Sequence, residues 1–348
     1  MNLQAFRRMK GQKEVTIYDI AKELNLATST ISRGLKDHPT IGKKTIQKIK
    51  KTAEEMGYRP NNLAASLRGN KMKTIGVLLP IVNPFLSSLI SGIEIAAKKE
   101  GYTVLIMQSH DSYLEEVKLT KSLYDNRVSG VICSLALETK NTDHFKIFTN
   151  NGTSLVFVDR VPKDFDSFQV VIDNYKAGYN ATKHLISQGC KRIAHITAGI
   201  EFSIYHERKE GYLAALREHH LSVEKELVVK AETVSYEAAE KACLKLLQLK
   251  NAPDALFTPS DTLGVCAIQV AKKLGIKVPE ELAVIGFNND PISSIIEPNM
   301  STVTHPAFEM GKTSAKIILK NLRGKNKMNK QITYLNTQVL VRASSKKN

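Results

Sequence analysis

The sequence of 348 residues has no tryptophan and only four cysteines, which are Cys133, Cys190, Cys243 and Cys266. These cysteines are far apart and show neither Cys-x-x-Cys nor Cys/His ligand spacing, so their pattern indicates no metal site. We expect them to be buried, reduced thiols that pack as small hydrophobic side chains.

Long apolar runs are also absent. The sequence has no run of about 18 apolar residues, and residues 1–14 are basic and polar without an apolar centre. The sequence therefore predicts neither a membrane-spanning helix nor a secretory signal, and we expect a cytoplasmic protein.

Motifs for nucleotide and catalytic chemistry are missing as well. Neither a Gly-x-Gly-x-x-Gly fingerprint nor a complete Gly-x-x-x-x-Gly-Lys-Ser/Thr loop is present. An enzyme that uses Asp159 or Asp261 as a base is one alternative, but no nucleophile or metal-ligand cluster accompanies these residues. We expect no cofactor and no enzymatic activity.

Charge is unevenly distributed along the chain. Residues 1–73 hold 16 Lys and Arg against 6 Asp and Glu, a net of +10, which leaves +6 of the total +16 for the other 275 residues. A basic segment joined to a nearly neutral body is typical of a protein that binds a polyanion at one end.

Three short runs of apolar residues at helical spacing occupy residues 14–60. In the first run Ile17, Ile20, Ala21 and Leu24 share one face, and in the third Ile46, Ile49, Ala53 and Met56 do so. The second run, Thr28 to Leu35, is too short to be stable alone. Asn25 is expected to end the first helix in a left-handed conformation. Helix, tight turn and helix is the arrangement that places a second helix in the major groove of DNA.

Several motifs in order resemble those of the LacI/GalR family of bacterial transcription regulators. They are Val15-Thr-Ile-Tyr-Asp-Ile-Ala-Lys, Ser29-Thr-Ile-Ser-Arg, Met56-Gly-Tyr-Arg-Pro-Asn, Thr74-Ile-Gly-Val, Asn83-Pro-Phe, Val158-Asp-Arg, Arg208-Lys-Glu-Gly-Tyr, Val284-Ile-Gly-Phe and Ser301-Thr-Val. Each motif is weak alone, but their order over more than 280 residues makes the resemblance specific.

The resemblance implies an N-terminal DNA-binding domain at residues 14–60. Thr28, Ser29 and Arg33 are then expected at base edges, where the Arg33 guanidinium can hold guanine O6 and N7. The predicted phosphate contacts and further DNA contacts of this domain are Thr16, Tyr18, Thr30, Ser32 and Thr45. Ala27 and Gly42 depart from the family, which has capping side chains there, so both helix starts should be weakened by about 0.5 to 2 kcal/mol.

Residues 61–73 are predicted to be a hinge helix and linker. Asn61 can cap this helix, Ala64 and Leu67 supply its apolar face, and Gly69 can stop it. The resemblance implies that the helix forms when two subunits pair over DNA and that Leu67 wedges into the minor groove. An ordinary linker is the alternative that the residues leave open.

From residue 74 onward, strand-like and helix-like segments alternate, which is typical of doubly wound parallel sheets. Thr74 to Leu79, Thr103 to Met107, Val128 to Ser134 and Leu155 to Val158 are predicted as strands buried on both faces. The resemblance implies a periplasmic-binding-protein-like core in two subdomains, one at about 74–172 and 305–332, the other at about 173–304 and 333–348. The sequence shows no apolar heptad tail, so a homodimer is expected rather than a tail-linked tetramer.

Polar residues follow the predicted strands, and ligands of open parallel sheets bind at the carboxyl ends of strands. The candidate effector-binding residues are Asn83, Phe85, Ser109, Asp111, Asp159, Arg208, Ser260, Asp261, Asn288 and His305. Amides and carboxylates suit a polyhydroxylated ligand, although a strand-end polar residue is more often a turn or helix cap.

Three of these positions depart from the family pattern. Ser260 stands where Asn is usual, Asn288 where Asp is usual, and His305 where Gln is common. The loss of a carboxylate at position 288 favours a sugar acid or phosphosugar over the usual ligand.

The expected function is sequence-specific binding of a near-palindromic operator in double-stranded DNA. We expect a repressor of carbohydrate uptake or breakdown genes, whose operator affinity is changed by a small sugar-like effector. An activator or a corepressor-dependent regulator is the alternative within this class. A cytoplasmic sugar-binding protein is the alternative from another class.

Overall fold

The structure, a computed structural model, describes residues 15–58, 73–198, 203–231, 235–324 and 331–347. Contacts divide the chain into two compact units, with the boundary just before Lys73. We call the first unit the head and the second the core. The predicted hinge and linker, apart from Lys73, lies outside the described residues.

The described residues of the head form three helices, as predicted. They are α1 (Ile17–Leu24), α2 (Thr28–Gly34) and α3 (Lys43–Glu55). Their common interior consists of Ile20, Ala21, Ile31, Ile49 and Ala53. Gly34 allows α2 to approach α3 closely, because a Cβ atom at this position would lie 2.4 Å from Cδ1 of Ile49.

Two six-stranded sheets form the core. The first contains β1 (Thr74–Leu79), β2 (Thr103–Gln108), β3 (Gly130–Cys133), β4 (Ser154–Val158), β5 (Phe168–Ile172) and β11 (Ile332–Leu335). The second contains β6 (Ile193–Ala198), β7 (Val228–Ala231), β8 (Ala255–Phe257), β9 (Ala283–Asn288), β10 (Ser301–Thr304) and β12 (Val339–Leu340).

The strand orders of the two sheets correspond position by position. They are β11-β5-β4-β3-β1-β2 and β12-β10-β9-β8-β6-β7. Strand pairing is parallel except between β10 and β12, which run antiparallel. The prediction of doubly wound parallel sheets is confirmed.

Helices cover both faces of each sheet. On the first sheet α4 (Pro84–Lys99) and α12 (Ala307–Arg323) pack on one face, and α5 (Tyr113–Asp125) and α6 (Lys146–Asn150) on the other. On the second sheet α7 (Asn174–Ser187) and α8 (Ser203–Glu218) are opposite α9 (Tyr236–Leu247) and α10 (Asp261–Lys273). A short helix, α11 (Ile292–Ile295), follows β9. We call each sheet with its helices a lobe.

Three sequence-based expectations need correction. The strand β2 was expected to be buried on both faces, but it lies at the edge of its sheet and its side chains are half-buried or exposed. The return to the second lobe was expected at Thr333, but β11 still pairs with β5 of the first sheet. The chain joins the second sheet only at Val339. The sequence pattern also missed three short strands and one helix, which are β5, β7, β10 and α12.

All four cysteines are buried free thiols, as predicted. Burial raises the pKa of the Cys190 thiol to about 11, and burial, followed by the nearby Glu116 carboxylate, raises that of Cys133. Protonated thiols of this kind pack as apolar side chains. Their role in the structure is therefore to fill the interior.

Candidate nucleic-acid interface and effector cleft

The start of α1 is fixed by hydrogen bonds between Thr16 and Asp19. The Thr16 hydroxyl donates to Oδ2 of Asp19 at 2.7 Å, and the Thr16 backbone N–H donates to the same oxygen at 2.8 Å. The second of these bonds is one half of a capping box, in which an acidic side chain in the first helical turn accepts the backbone N–H of the residue before the helix. The predicted phosphate contact of Thr16 therefore competes with a structural hydrogen bond.

The turn between α1 and α2 has the geometry that the sequence predicts. Asn25 adopts a left-handed conformation with φ 53° and ends α1. Ala27 and Gly42 precede α2 and α3 without a side-chain cap, which agrees with the two departures seen in the sequence. Backbone N–H groups at the starts of these helices therefore remain for other acceptors, such as phosphate oxygens.

One face of α2 is buried and the opposite face is open to solvent. Ile31 and Gly34 face the interior, whereas Ser29 and Arg33, one helical turn apart, are exposed. Tyr18 on α1 is 67% exposed. Thr28, Thr30, Ser32 and Thr45 are half-buried. Of the predicted DNA contacts, Asn61, Ala64 and Leu67 lie outside the described residues.

The predicted effector residues of both lobes meet around His305, directly after β10. The His305 ring lies 4.1 Å from the Phe85 ring of the first lobe and 5.9 Å from the Phe287 ring of the second, between centroids. Its Nδ1 is 3.3 Å from Oδ1 of Asn288, and its Nε2 is 3.8 Å from Oδ1 of Asp159. We call these residues together with Arg208 the cleft cluster.

Burial governs the charge of His305. Its side chain is 2% exposed, and this burial, with the positive charge of Arg208 as a second cause, lowers its pKa well below the usual value. The ring is therefore neutral near pH 7. A neutral ring between the two lobes offers one donor and one acceptor to neighbouring groups.

Arg208 on α8 is the buried cation of the cluster. Its Nε donates to Oδ1 of Asn174 at 2.9 Å and its Nη1 donates to the carbonyl of Pro259 at 3.0 Å. Its Cζ lies 3.6 Å from the centroid of the Phe287 ring. The pKa of Arg208 is lowered, and burial is the largest cause. Tyr205 and then Asp159 act in the opposite direction and raise this pKa. A guanidinium fixed in this way has one orientation toward a ligand.

Asp159 directly follows β4 and has a left-handed conformation with φ 57°. Burial raises its pKa, and the charges of Arg160 and Arg208 act in the opposite direction. Asp111 is held by Arg160, whose Nη1 donates to its Oδ1 at 2.6 Å, and by the Leu137 backbone N–H at 3.1 Å. Asp111 therefore supports the loop beside the cluster.

Several other predicted effector residues have structural hydrogen bonds. Oδ1 of Asn83 accepts from the Leu86 backbone N–H at the start of α4. Ser260 caps α10 in the same way, and the buried Ser109 hydroxyl contacts the carbonyl of Leu79 at 3.5 Å. Helix capping was the alternative that the sequence left open for such positions.

Asp261 is brought into the interior of the second lobe and not into the cleft cluster. Its carboxylate accepts the Thr302 hydroxyl at 2.7 Å and the Asp290 backbone N–H at 2.6 Å, with none of its surface exposed. Burial, the largest cause, raises its pKa to about 7. It holds α10 against β9 and β10.

Sequence reasoning missed Asn174 and Phe287, which orient Arg208. Phe287 stands in the Val-Ile-Gly-Phe motif and Asn174 follows a strand end, so the sequence contained a signal for both residues.

Within the described residues no group of three or more His, Cys, Asp or Glu could hold a metal ion. None of the helices in those same residues combines the length and apolar character that a membrane span requires.

The described part of the head has three helices, of which the second has an exposed face, and the two-lobed core carries a polar cluster between its lobes. These features define a DNA-binding regulator with a ligand-binding core. Residues 16–61 match the family of bacterial regulatory proteins of the lacI type, and residues 182–345 match a periplasmic binding protein-like domain.

Curated relatives match almost the whole chain. The transcriptional repressor CytR of Escherichia coli K12 is 30% identical over 325 residues, which cover 91% of this chain and 94% of CytR. The regulator NtdR of Bacillus subtilis is 32% identical, with 95% of this chain and 99% of NtdR covered. The chain belongs to the LacI family of bacterial regulatory proteins, and it is a DNA-binding transcriptional regulator.

Solved structures agree with this fold. A transcriptional regulator CelR–cellobiose complex matches with a TM-score of 0.71 and 26% identity, covering 95% of this chain and all of that chain. The lac repressor dimer bound to operator and an anti-inducer has a TM-score of 0.84 at 20% identity, covering 96% of this chain and 99% of that one. This second likeness concerns the fold alone.

Proposed function

We propose that this regulator is a homodimeric repressor of carbohydrate uptake or breakdown genes and that a small sugar-like effector in the cleft cluster controls its operator affinity. One observation carries the proposal. The buried Arg208 guanidinium lies near residues of both lobes, namely Asp159 of the first and Phe287 of the second. Because the operator is chromosomal DNA, we place the protein in the bacterial cytoplasm.

The cleft cluster suits a ligand that has both an apolar face and hydroxyl or acidic groups. Phe85 and the His305 ring, 4.1 Å apart, supply aromatic surface. Asp159 and Asn288 supply acceptors, and Arg208 supplies a planar fork that can hold two oxygens. The CelR relative carries a disaccharide in its solved structure, which supports a carbohydrate as the ligand class.

Effector binding is proposed to act on DNA affinity through the arrangement of the lobes. Phe85 and Asp159 belong to the first lobe, and Arg208 and Asn288 to the second. A ligand that contacts all of them stabilises one arrangement of the two lobes over others. If that arrangement differs between the DNA-bound and free dimers, ligand and operator affinities are coupled by the same free energy.

The head is proposed to read one half-site through the exposed face of α2. Arg33 and Ser29 are available there for base edges, and a dimer places two such helices about one turn of DNA apart. We further propose that the protein binds its effector without converting it. Several curated relatives are named as transcriptional repressors or regulators, which supports this view.

The proposal is tested by selecting bound sequences from a random duplex library at fixed salt and then screening sugars and sugar acids against the selected site. We expect a near-palindromic motif and one compound that changes its affinity without being consumed. The sign of that change separates induction from corepression. Salt-sensitive binding with no motif would contradict sequence-specific regulation.

Arg33→Ala supplies the matched variant for the selection. We expect it to lose about 1 to 3 kcal/mol of discrimination at one base pair in each half-site. Lys51→Ala, on the exposed part of α3 beside Glu55, is the control and should leave the motif unchanged. An unaltered motif for Arg33→Ala would refute the assigned base contact.

A further inference from the structure

The strand end that carries Asn288 has a strained backbone. Asn288, the last residue of β9, has φ 109°, and Asn289, the next residue, has φ 58°. Positive φ costs free energy at any residue other than glycine, although asparagine tolerates the left-handed region better than most. Such strain persists only where surrounding contacts hold it in place. The contacts made by Asn289 therefore help to fix the position of the Asn288 amide.

A guanidinium from the last segment of the chain holds Asn289. Nη2 of Arg342 donates to Oδ1 of Asn289 at 2.7 Å. Nη1 of the same side chain donates to the carbonyl of Met300 at 2.8 Å and to the Ser293 hydroxyl at 3.0 Å. The Arg342 backbone is held as well, because its N–H donates to Oγ of Ser301 at 2.7 Å. The guanidinium therefore joins the strand end to α11 and to the residue before β10.

Arg342 belongs to the segment that returns from the first lobe to the second. The chain leaves β11 of the first sheet at Leu335 and joins the second sheet in β12, which ends two residues before Arg342. On the way, Gln338 exchanges two hydrogen bonds with Thr304, the residue before His305, each at 2.8 Å. The residue that holds Asn289 thus lies just beyond a crossing between the two lobes.

Asn288 contacts His305 through its backbone and through its side chain. The His305 backbone N–H donates to the Asn288 carbonyl at 3.4 Å, and Oδ1 of Asn288 lies 3.3 Å from Nδ1 of the ring. Both contacts depend on the backbone angles at Asn288. A side chain that holds the next residue, Asn289, therefore also controls how the amide meets the ring.

We infer that Arg342 is a positioning residue of the cleft cluster, which holds the strand end at Asn289 and thereby keeps the Asn288 amide against the His305 ring. Arg342 acts on the cluster through Asn289, to which it is hydrogen-bonded. The inference rests on the proposed function, because it takes the cluster as the effector site. It adds that a ligand meets an amide whose position is fixed in advance, which lowers the conformational cost of binding.

The first test follows the His305 ring in full-length protein that is labelled with 15N-histidine and free of effector. Asn288→Ala removes the amide and so defines the Nδ1 resonance of a ring without this contact, and His305→Gln identifies the signal. Arg342→Met should shift the Nδ1 resonance toward its position in Asn288→Ala. An unshifted resonance in Arg342→Met would overturn the inference.

Asn289→Gly is the second variant, because glycine adopts positive φ without strain and lacks the acceptor of the guanidinium. It should shift the His305 resonance in the same direction as Arg342→Met. In the double variant the two shifts should not add, since each change removes the same hydrogen bond. Additive shifts would mean that the two residues act on the ring separately, and the inference would fail. If Arg342→Met does not fold, an unshifted resonance in Asn289→Gly overturns the inference by itself.

Arg192→Met is the matched control. Arg192 belongs to the same lobe, and its guanidinium also binds a backbone carbonyl, that of Asn251 at 2.8 Å, and a side chain, Glu226 at 2.6 Å. Its replacement should leave the His305 resonance in place, and an equal shift would show a general loss of lobe structure and overturn the role of Arg342. These measurements need no effector. A sugar screen without a hit would refute the proposed function, whereas an unshifted His305 resonance would refute only the role of Arg342.

Discussion

The two lobes of the core have the same strand order but different charges at equivalent positions. Asp159 follows β4 of the first lobe, and Asn288 ends β9, the equivalent strand of the second. Both residues have positive φ, 57° and 109°, and both face the His305 ring. The first lobe thus offers a carboxylate to the cluster where the second offers an amide. Equivalent topology places the residues, but the side-chain type decides which charge the ligand meets.

The second lobe also holds a fully buried carboxylate close to its strand end. This carboxylate, Asp261, lies outside the cluster and joins α10 to β10 through Thr302. The same Thr302 hydroxyl accepts from the Asn289 backbone N–H at 3.1 Å, next to Asn288. Asp261 therefore supports, through Thr302, the backbone next to Asn288 at the end of β9.

The largest effect is expected from Asp261→Ala. Two buried donors, the Thr302 hydroxyl and the Asp290 backbone N–H, would lose their acceptor, at about 1 to 3 kcal/mol each. We expect the free energy of unfolding to fall by about 2 to 6 kcal/mol in urea denaturation. Asp159→Ala should cost about 1 kcal/mol, mainly from its left-handed backbone. Equal losses for the two variants would show that the lobes use their aspartates alike.

Arg208→Ala should have the next largest effect, on ligand response. Because the guanidinium is the cation of the cluster, we expect its loss to weaken the effector at least about tenfold while operator affinity without effector is retained. Isothermal titration and operator-binding curves with and without the effector measure the two quantities. Arg192→Ala is the control, because Arg192 belongs to the same lobe and pairs with Glu226 at 2.6 Å. A full effector response in Arg208→Ala would place the ligand elsewhere.

The pH dependence of stability should differ between the parent protein and Asp261→Asn. The folded-state pKa of Asp261 is raised to about 7, above the usual unfolded value of about 3.9. Folding therefore favours the protonated form, so this contribution to stability is complete below about pH 4 and is lost as pH rises toward 7. The unfolding free energy of the parent minus that of Asp261→Asn should fall across this range. A flat or rising difference would contradict the assigned environment of the carboxyl group.

The smallest effect is expected from Asn288→Asp, which makes the two strand ends alike. A carboxylate 3.3 Å from Nδ1 of His305 should raise the pKa of this histidine by about 1 to 3. The 15N resonances of labelled histidine, followed over pH, report the change. Effector acids should bind more weakly to this variant and neutral sugars should not. An unchanged pKa of His305 in this variant would contradict the prediction. It would mean that the neutral charge of Asn288 is not what makes the two strand ends different.

Local sequence pattern was sufficient for most elements of the chain. Apolar positions three and four residues apart define α1 and α3, and Asn25 marks the turn between α1 and α2 because it tolerates positive φ. The continuous aliphatic run of β1 has the same boundaries in sequence and structure. The pattern did not reveal that β2 is an edge strand, because burial of a strand depends on its neighbours in the sheet.

The sequence alone determined the head, the alternation of strands and helices, and the set of polar residues at strand ends, since each depends on residues close together in the chain. Only the tertiary structure decided which of those residues meet. Asp159, Asn288 and His305 come together, while Asp261 turns inward to donors from Asp290 and Thr302. Contacts between residues this far apart are fixed by sheet order and helix packing, and neither property is encoded in local periodicity.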